Sequence, residues 1–137
     1  MKLRFILIAT IGLAYTLSSC NFSSAKIKDA KMCTSLSANL CNDDNPVFES
    51  TTAEIFVSCQ LKNAPENTDI EFAWFYYGQQ KISIEALSLN SGSNTGTLNL
   101  QSSINRPNNG WPLGDYEVVI SILDTDKDPI IKKFSVE

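Results

Sequence analysis

The sequence predicts an all-β fold, an antiparallel β-sandwich of about seven short strands. From Val47 onward, apolar and polar residues alternate with a period of two, which is typical of strands that are buried on one face. Clusters of Gly, Pro, Asn, Asp and Ser separate these runs at short intervals, as turns between antiparallel strands require. No stretch of this region shows sustained helical spacing, so the pattern favours a sandwich built from one domain.

Six alternating runs mark the predicted strands, and the turns lie between them. The apolar residues that define the runs are, in chain order, Ile55, Val57, Cys59 and Leu61; Ile70, Phe72, Trp74 and Tyr76; Ile82 and Ile84; Leu98 and Leu100; Tyr116, Val118, Ile120 and Ile122; and Phe134 and Val136. The predicted turns are residues 64–67, 78–80, 90–94, 107–110 and 124–129. Each turn carries Gly, Pro, Asn or Asp, the residues that turn conformations favour.

Three features of this pattern resemble the immunoglobulin-like fold. Cys59 lies in the first clear strand, and Trp74 lies in the next strand along the chain. Residues 114–118, Gly-Asp-Tyr-Glu-Val, are similar to the Asp-x-Tyr-x-Cys motif that opens a late strand of that fold. Residues 111–116 also look like the W-P-x-G-x-Y entry to a late strand in bacterial Ig-like or fibronectin-like domains. The resemblance implies an Ig-like sandwich over residues 46–137 and implies nothing about function.

The resemblance departs at Val118, which stands where the family has its second cysteine. The usual disulfide between the two sheets is therefore not expected. The resemblance implies that Cys59 is a small buried hydrophobe against Trp74 and Val118. It also implies that Tyr116 is the corner tyrosine, with its hydroxyl bonded to nearby backbone.

The N-terminal residues have the layout of a secretory signal peptide. Lys2 and Arg4 precede a mostly apolar run over residues 5–17, which is short for a membrane span. Residues 17–20, Leu-Ser-Ser-Cys, resemble the lipobox of bacterial lipoproteins. Two alternatives remain open, an ordinary signal peptide with a chance cysteine and an uncleaved anchor.

The lipobox resemblance implies that residues 1–19 are removed and that Cys20 carries the lipid. In that family the thiol receives a diacylglycerol and the new amine is usually acylated, for example with palmitate, so several chains hold the protein on the membrane. Residue 21 is Asn and not the Asp that resembles an inner-membrane retention signal. The expected location is therefore the bacterial cell envelope, at the outer membrane if the cell has one.

Residues 20–45 are rich in Ser, Asn, Lys and Asp, and they predict a polar tether between Cys20 and the domain. Cys33 and Cys41 lie close together in an exported segment, so a disulfide between them is the favoured pairing. The alternatives are a bond from Cys59 to either cysteine, which would pin the tether to the domain, or three reduced thiols.

Charge and composition argue against several classes of function. The chain has 11 basic and 15 acidic residues, and removing Lys2 and Arg4 with the leader leaves 9 basic against 15 acidic. No basic stripe or motif indicates nucleic acid as a partner. The chain has no histidine, the commonest general base, and no glycine-rich phosphate loop, so we expect no enzyme activity and no cofactor other than the lipid at Cys20.

The turn at Asp124, Asp126 and Asp128 has the spacing of the first half of a calcium loop. Pro129 stands where that loop needs glycine, and Ser135 stands where it needs a bidentate glutamate. A polar turn between the last two strands is the favoured interpretation, and no metal site is predicted.

The predicted binding face lies on the outward side of the sheet that contains Trp74 and Tyr116. If these two residues point inward, Phe75, Tyr77 and Val119 point outward and form one apolar patch. Three interpretations remain open. The tether folds back over the patch with its apolar residues, the patch binds a partner or a second copy, or the strand facing is shifted by one residue.

The sequence therefore predicts a non-catalytic envelope lipoprotein with a binding or structural Ig-like domain, which engages another envelope protein or self-associates. A carbohydrate- or ligand-binding module is the alternative, with Tyr77 and Trp111 as stacking surfaces. For Trp111 itself the favoured interpretation is a plug at the open end of the core, against the stacking role. An inhibitor of an exported hydrolase is a further alternative that rests on analogy.

Overall fold

The structure is a computed structural model that describes residues 24–137. The predicted signal peptide and the predicted lipidation site, Cys20, lie outside the described residues. The described chain forms eight β-strands and no helix. The strands are β1 (Lys26–Cys33), β2 (Val47–Phe48), β3 (Glu54–Lys62), β4 (Asp69–Tyr77), β5 (Lys81–Asn90), β6 (Leu98–Asn105), β7 (Gly114–Ile122) and β8 (Ile130–Val136). Over residues 24–137 there is accordingly no helix with the length and apolar character to cross a membrane.

The strands form two sheets that pack face to face. The small sheet has the order β1-β3-β6, and the large sheet has the order β2-β8-β7-β4-β5. Every pairing between these strands is antiparallel except that of β2 with β8, which is parallel. The predicted all-β antiparallel sandwich is therefore confirmed, with eight strands because β1 and the two-residue β2 add to the predicted set.

The strand order agrees with the Ig-like arrangement. β3 and β6, which are not consecutive, pair in the small sheet, while β4 and β7 pair at the centre of the large sheet. In the Ig-like fold strands A, B and E lie in one sheet and C, F and G in the other, and β1, β3, β6, β4, β7 and β8 follow that division. The strand β5 continues the large sheet beyond β4 as its outermost strand.

The core is formed by the inward-facing residues of both sheets. Trp74 on β4 and Tyr116 on β7 are both almost fully buried, and each packs its ring against Phe134 of β8. Cys59 and Val118 are fully buried in the same cluster. The predicted strand facing is therefore correct in β3, β4 and β7, and no one-residue shift exchanges the two faces.

The prediction of a polar tether over residues 20–45 is wrong for the part that the structure describes, because β1 belongs to the sandwich. Residues 26–33 form a strand that pairs with β3, and Met32 is fully buried in the core. The segment that follows is also held to the domain, because Asp44 accepts a hydrogen bond from the Met32 amide at 2.8 Å and lies 2.6 Å from Lys132 Nζ. The sandwich thus includes residues before 46, and the described fold already begins at Ser24, whose hydroxyl donates to the Asn63 carbonyl at 3.1 Å.

A β-bulge explains why β1 is not evident in the sequence. The register shifts between Lys28 and Lys31, so that Asp29 and Ala30 together oppose one residue of β3. Asp29 adopts a positive φ of 54° there. Ile27 and Met32 are five positions apart, and regular alternation would place them on opposite faces of the strand. Both face the core because the bulge breaks the alternation. These two residues pack inside the sandwich, so they do not cover Phe75 as one interpretation of the tether required.

Candidate binding surface

The three residues of the predicted binding face do share the outward side of the large sheet. Phe75 lies opposite Glu117 on β7, and Val119 lies opposite both Ala73 on β4 and Ile131 on β8. Phe75 and Val119 are half-buried, and Tyr77 is 39% exposed. The outward apolar set is therefore present, but two of its three members are largely covered.

A small polar network covers Phe75. Lys81 Nζ lies 4.1 Å from the centroid of the Phe75 ring and 2.8 Å from Glu117 Oε1. Glu117 is buried although it lies on the outer face, and Lys81 Nζ also lies 5.6 Å from the centroid of the Tyr77 ring. The ammonium group above the Phe75 ring is a cation–π contact. This network converts the centre of the predicted apolar patch into a charged surface.

The network also sets the ionisation of its members. Burial alone would raise the pKa of Glu117, but its interactions with Lys81 and Tyr77 outweigh burial and lower that pKa below its ordinary value. Interaction with the Glu117 carboxylate in turn raises the pKa of Lys81 and the pKa of Tyr77. The pair therefore stays charged across the neutral range, and the outer face keeps a fixed ion pair at its centre.

A shallow groove of about 650 Å³ lies beside this network. Tyr77 and Val47 form apolar walls, and Asp115 and Lys133 bring one charge of each sign to its rim. The groove has no strong electrostatic preference, because the two charges are of opposite sign. It could accept a polar or an apolar side chain of a partner without requiring a charged one.

The largest set of exposed apolar side chains lies on β5. Ile82 is 53% exposed, Ile84 is 42% exposed and Leu87 is 36% exposed. Almost every residue of β5 is exposed, and Leu89 is the half-buried exception. Exposure of three neighbouring large aliphatic side chains on one strand is unusual for a domain whose other strands bury their apolar faces.

The unequal widths of the two sheets explain this exposure. Trp74 of β4 donates a hydrogen bond to Ser102 Oγ of β6 at 3.0 Å, so β4 lies across from β6. β6 is the outermost strand of the small sheet, and β5 lies one strand beyond β4 in the large sheet. β5 therefore overhangs the small sheet. Leu87, which pairs with the inward residue Phe72, is therefore 36% exposed, whereas Leu89, which pairs with Ile70, is half-buried against the core.

The outer edge of β5 is long and carries two features that limit pairing. A bulge interrupts its register with β4 between Trp74 and Phe75, at Ile84. Glu85 pairs with Trp74 and therefore lies on the inward side of the strand. Bulges and inward-pointing charges are common devices against open-ended edge-to-edge association. From Ala86 to Asn90 the backbone continues past both features as a regular strand, and no other strand of residues 24–137 pairs with its outer edge.

Trp111, the predicted stacking residue, is not available to a ligand. Its side chain is 7% exposed, and its Nε1 donates to the Thr52 carbonyl at 2.6 Å. The ring packs edge-on against Tyr116, whose hydroxyl donates to the Pro112 carbonyl. Trp111 thus closes one end of the core, as the plug interpretation predicts, and its buried ring offers no surface on which a ligand could stack.

The structure places the cysteines of the described residues in two environments. Cys33 and Cys41 form a disulfide that closes the loop after β1. Cys59 is a free and fully buried thiol, and burial raises its pKa to about 12. A bond from Cys59 to either of the others is therefore absent in residues 24–137. The predicted lipidation site, Cys20, falls outside them.

The acidic turn between β7 and β8 has the form of an ordinary turn. Asp124 adopts a positive φ of 56°, and the Thr125 hydroxyl donates to the Ile122 carbonyl at 2.9 Å. Among residues 24–137, no group of three or more Cys, Asp or Glu side chains is arranged to hold a metal ion. The turn is explained by its own hydrogen bonds.

The exposed strand β5 is the surface that the sequence interpretation did not identify. The alternation of Ile82 and Ile84 marks a strand, but the extra residue at Ile84 changes the parity, so that Leu87 and Leu89 share the inward side with Ile82. This change of parity is the sequence signal of the bulge. The overhang itself depends on which strands oppose each other, which local alternation does not encode.

No protein-family model matches the chain, and no curated protein matches it at a significant level.

Proposed function

We propose that this protein is a non-catalytic bacterial envelope lipoprotein, anchored through Cys20, whose β-sandwich binds another envelope protein at the exposed edge of its large sheet. The supporting observation is the overhang of β5, which leaves Ile82, Ile84 and Leu87 exposed on a strand with a free edge. A partner segment that adds to such an edge gains main-chain hydrogen bonds and buries the neighbouring apolar side chains. The proposed binding surface is therefore the β5 edge of the sheet whose outer face carries Phe75, Tyr77 and Val119.

The edge is favoured over the outer face because of its side chains. The outer face carries the Lys81–Glu117 ion pair at its centre, and a partner that covered this pair would have to remove water from both charges. Along β5, the exposed side chains from Ile82 onward are largely aliphatic or small and polar, with Glu85 as the exception. An apolar strand of a partner therefore loses less solvation on the edge than on the outer face.

A second copy of the chain is an alternative occupant of this edge. The bulge at Ile84 and the inward Glu85 oppose extended pairing of two β5 strands, which favours a different partner. A crosslinked product of twice the mass of the chain would instead identify a second copy.

The partner proposal is tested with matched charge substitutions in the lipidated protein. Replacing Ile82 and Leu87 together with Lys should abolish crosslinking to the partner in intact cells. Ile131→Lys is the control, because Ile131 is 50% exposed on the same sheet but lies on β8, away from β5. Phe75→Ser with Tyr77→Ser tests the outer face. Loss of capture with the outer-face variant, and not with the β5 variant, would overturn the assignment of the edge.

The anchor has its own test. Cells that express the full chain should incorporate labelled palmitate, and Cys20→Ser should abolish that incorporation. Globomycin, which inhibits the lipoprotein peptidase, should block removal of residues 1–19. Absence of palmitate incorporation, together with unaltered removal of residues 1–19 in globomycin, would contradict the lipoprotein assignment. The edge proposal would then be tested separately.

A further inference from the structure

The charges of the small sheet are concentrated near the start of the described chain. Lys26 and Lys62 lie directly opposite each other on β1 and β3, and Lys28 lies two residues along β1. All three fall on the outward side of the small sheet, because Ile27 and Leu61, which pair between them, face the core. We define these three lysines as the basic corner.

Within residues 24–137 the lysines of the basic corner form no ion pair, although Asp128 lines the same small pocket as Lys26 and Lys127. Like charges directly opposite each other on neighbouring strands are destabilising. In the part of the chain that the structure describes, none of the three lysines lies within ion-pair distance of a carboxylate, whereas Lys81 and Lys132 each do. Asp29 follows Lys28 and lies beside Lys31. The corner therefore keeps a net positive charge on a chain with an acidic total.

The corner also lies close to the proposed point of attachment. The Ser24 hydroxyl donates a hydrogen bond to the carbonyl of Asn63, the residue that follows β3, and Ala25 is fully buried. Three residues separate Cys20 from Ser24. Even fully extended, this length of chain spans at most about 14 Å between the two Cα atoms. A domain held this close lies within about one to two screening lengths of the headgroups at physiological salt.

We propose that the basic corner docks on anionic lipid headgroups, so that the small sheet faces the bilayer and the outer face of the large sheet points away from it. This proposal rests on the proposed anchor at Cys20. The partner chemistry is a phosphate-bearing lipid surface, because the corner offers ammonium groups without carboxylate partners and the linker keeps them at the membrane. Each lysine near such a surface strengthens the contact by about fivefold.

The test separates docking from enzymatic lipidation. The mature chain, residues 20–137, is coupled through the Cys20 thiol to a maleimide lipid in vesicles, since Cys59 is buried and the other two cysteines form a disulfide. The vesicles contain phosphatidylcholine alone or with phosphatidylglycerol. Acetylation of each lysine is then followed by mass spectrometry, with Lys133 on the large sheet as the internal control.

Docking predicts that Lys26, Lys28 and Lys62 are acetylated about fivefold more slowly on anionic vesicles than on neutral ones, and that added salt removes the difference. Lys133 should react equally on both. Replacing Lys26 and Lys62 with Gln should remove the protection of Lys28. Equal rates on the two kinds of vesicle, or equal protection of Lys133, would overturn the proposal. Failure of palmitate incorporation in cells would instead contradict the anchor alone.

Discussion

Trp74 and Ser102 join the two sheets through a buried hydrogen bond, from the indole Nε1 to the serine Oγ at 3.0 Å. Trp74 is fully buried and Ser102 is 3% exposed. The bond places β4 across from β6, the outermost strand of the small sheet. The exposure of β5 follows from this one alignment, because no strand within residues 24–137 lies opposite β5, the next strand of the large sheet.

Ser102→Ala should destabilise the domain by about 1–3 kcal/mol, since it leaves the buried indole N–H of Trp74 without an acceptor. Urea unfolding followed by tryptophan fluorescence measures the free energy of unfolding. Ser88→Ala on the exposed strand β5 is the matched control and should change it by no more than about 0.5 kcal/mol. Equal effects of the two substitutions would contradict the proposed alignment of the sheets.

Removing the disulfide should have a moderate effect. Replacing Cys33 and Cys41 together with Ser opens a loop with a sequence separation of 8, for which chain entropy predicts a loss of about 2–3 kcal/mol. The loop should stay on the small sheet, because the Cys41 amide donates to the buried Ser58 hydroxyl at 2.8 Å. Thermal unfolding measures the loss, and an unchanged melting temperature would show that the bond is not formed.

Cys59 should be inert in the folded protein. Its thiol is fully buried and its pKa is raised to about 12, so almost no thiolate is present at pH 8. In a Cys20→Ser chain, an alkylating reagent should modify no cysteine until denaturant is added, and then one. Modification of Cys59 in the native protein would contradict its place in the core.

Stability should depend on pH through the Lys81–Glu117 pair. The folded-state pKa of Glu117 is lowered, so its contribution is complete above its ordinary pKa, near 4.5, and is lost as the pH falls through the folded value. The folded-state pKa of Lys81 is raised, so its contribution is complete below about 10.5 and is lost at higher pH. The free energy of unfolding of Glu117→Gln should therefore differ most from that of the native protein between these two pH limits.

The measurement is denaturant unfolding of the native protein and of Glu117→Gln from pH 3 to 9. The difference between their free energies of unfolding should narrow below about pH 4.5. If the difference in the free energy of unfolding stayed constant down to pH 3, the ion pair would not contribute to stability.

Local alternation predicted the fold class and the inward faces of β3, β4 and β7. It identified Trp74 and Tyr116 as core residues because each lies in an uninterrupted strand with a regular period of two. It failed at β1, where the bulge at Asp29 breaks the period and polar residues conceal the strand. A strand that contains a bulge cannot be recognised from regular alternation alone, because the extra residue changes which side chains face the core.

The binding surface could be predicted only in part. The outward facing of Phe75 and Val119 follows from alternation, but the cover that Lys81 forms over Phe75 depends on a contact between two strands. The exposure of Ile82 and Leu87 depends on the relative widths of the sheets, a property of the whole fold. Trp111 was ambiguous because an aromatic residue near a turn can cap a core as readily as it can stack on a ligand.

Site-specific photocrosslinking in intact cells tests the central claim most directly. A photoreactive amino acid at Leu87 on β5, 36% exposed, is compared with one at Ile131 on β8, 50% exposed. Binding at the edge of the large sheet predicts a discrete crosslinked product from position 87 and none from position 131. Products from position 131 alone, or no product from position 87, would contradict the assignment of β5 as the binding edge.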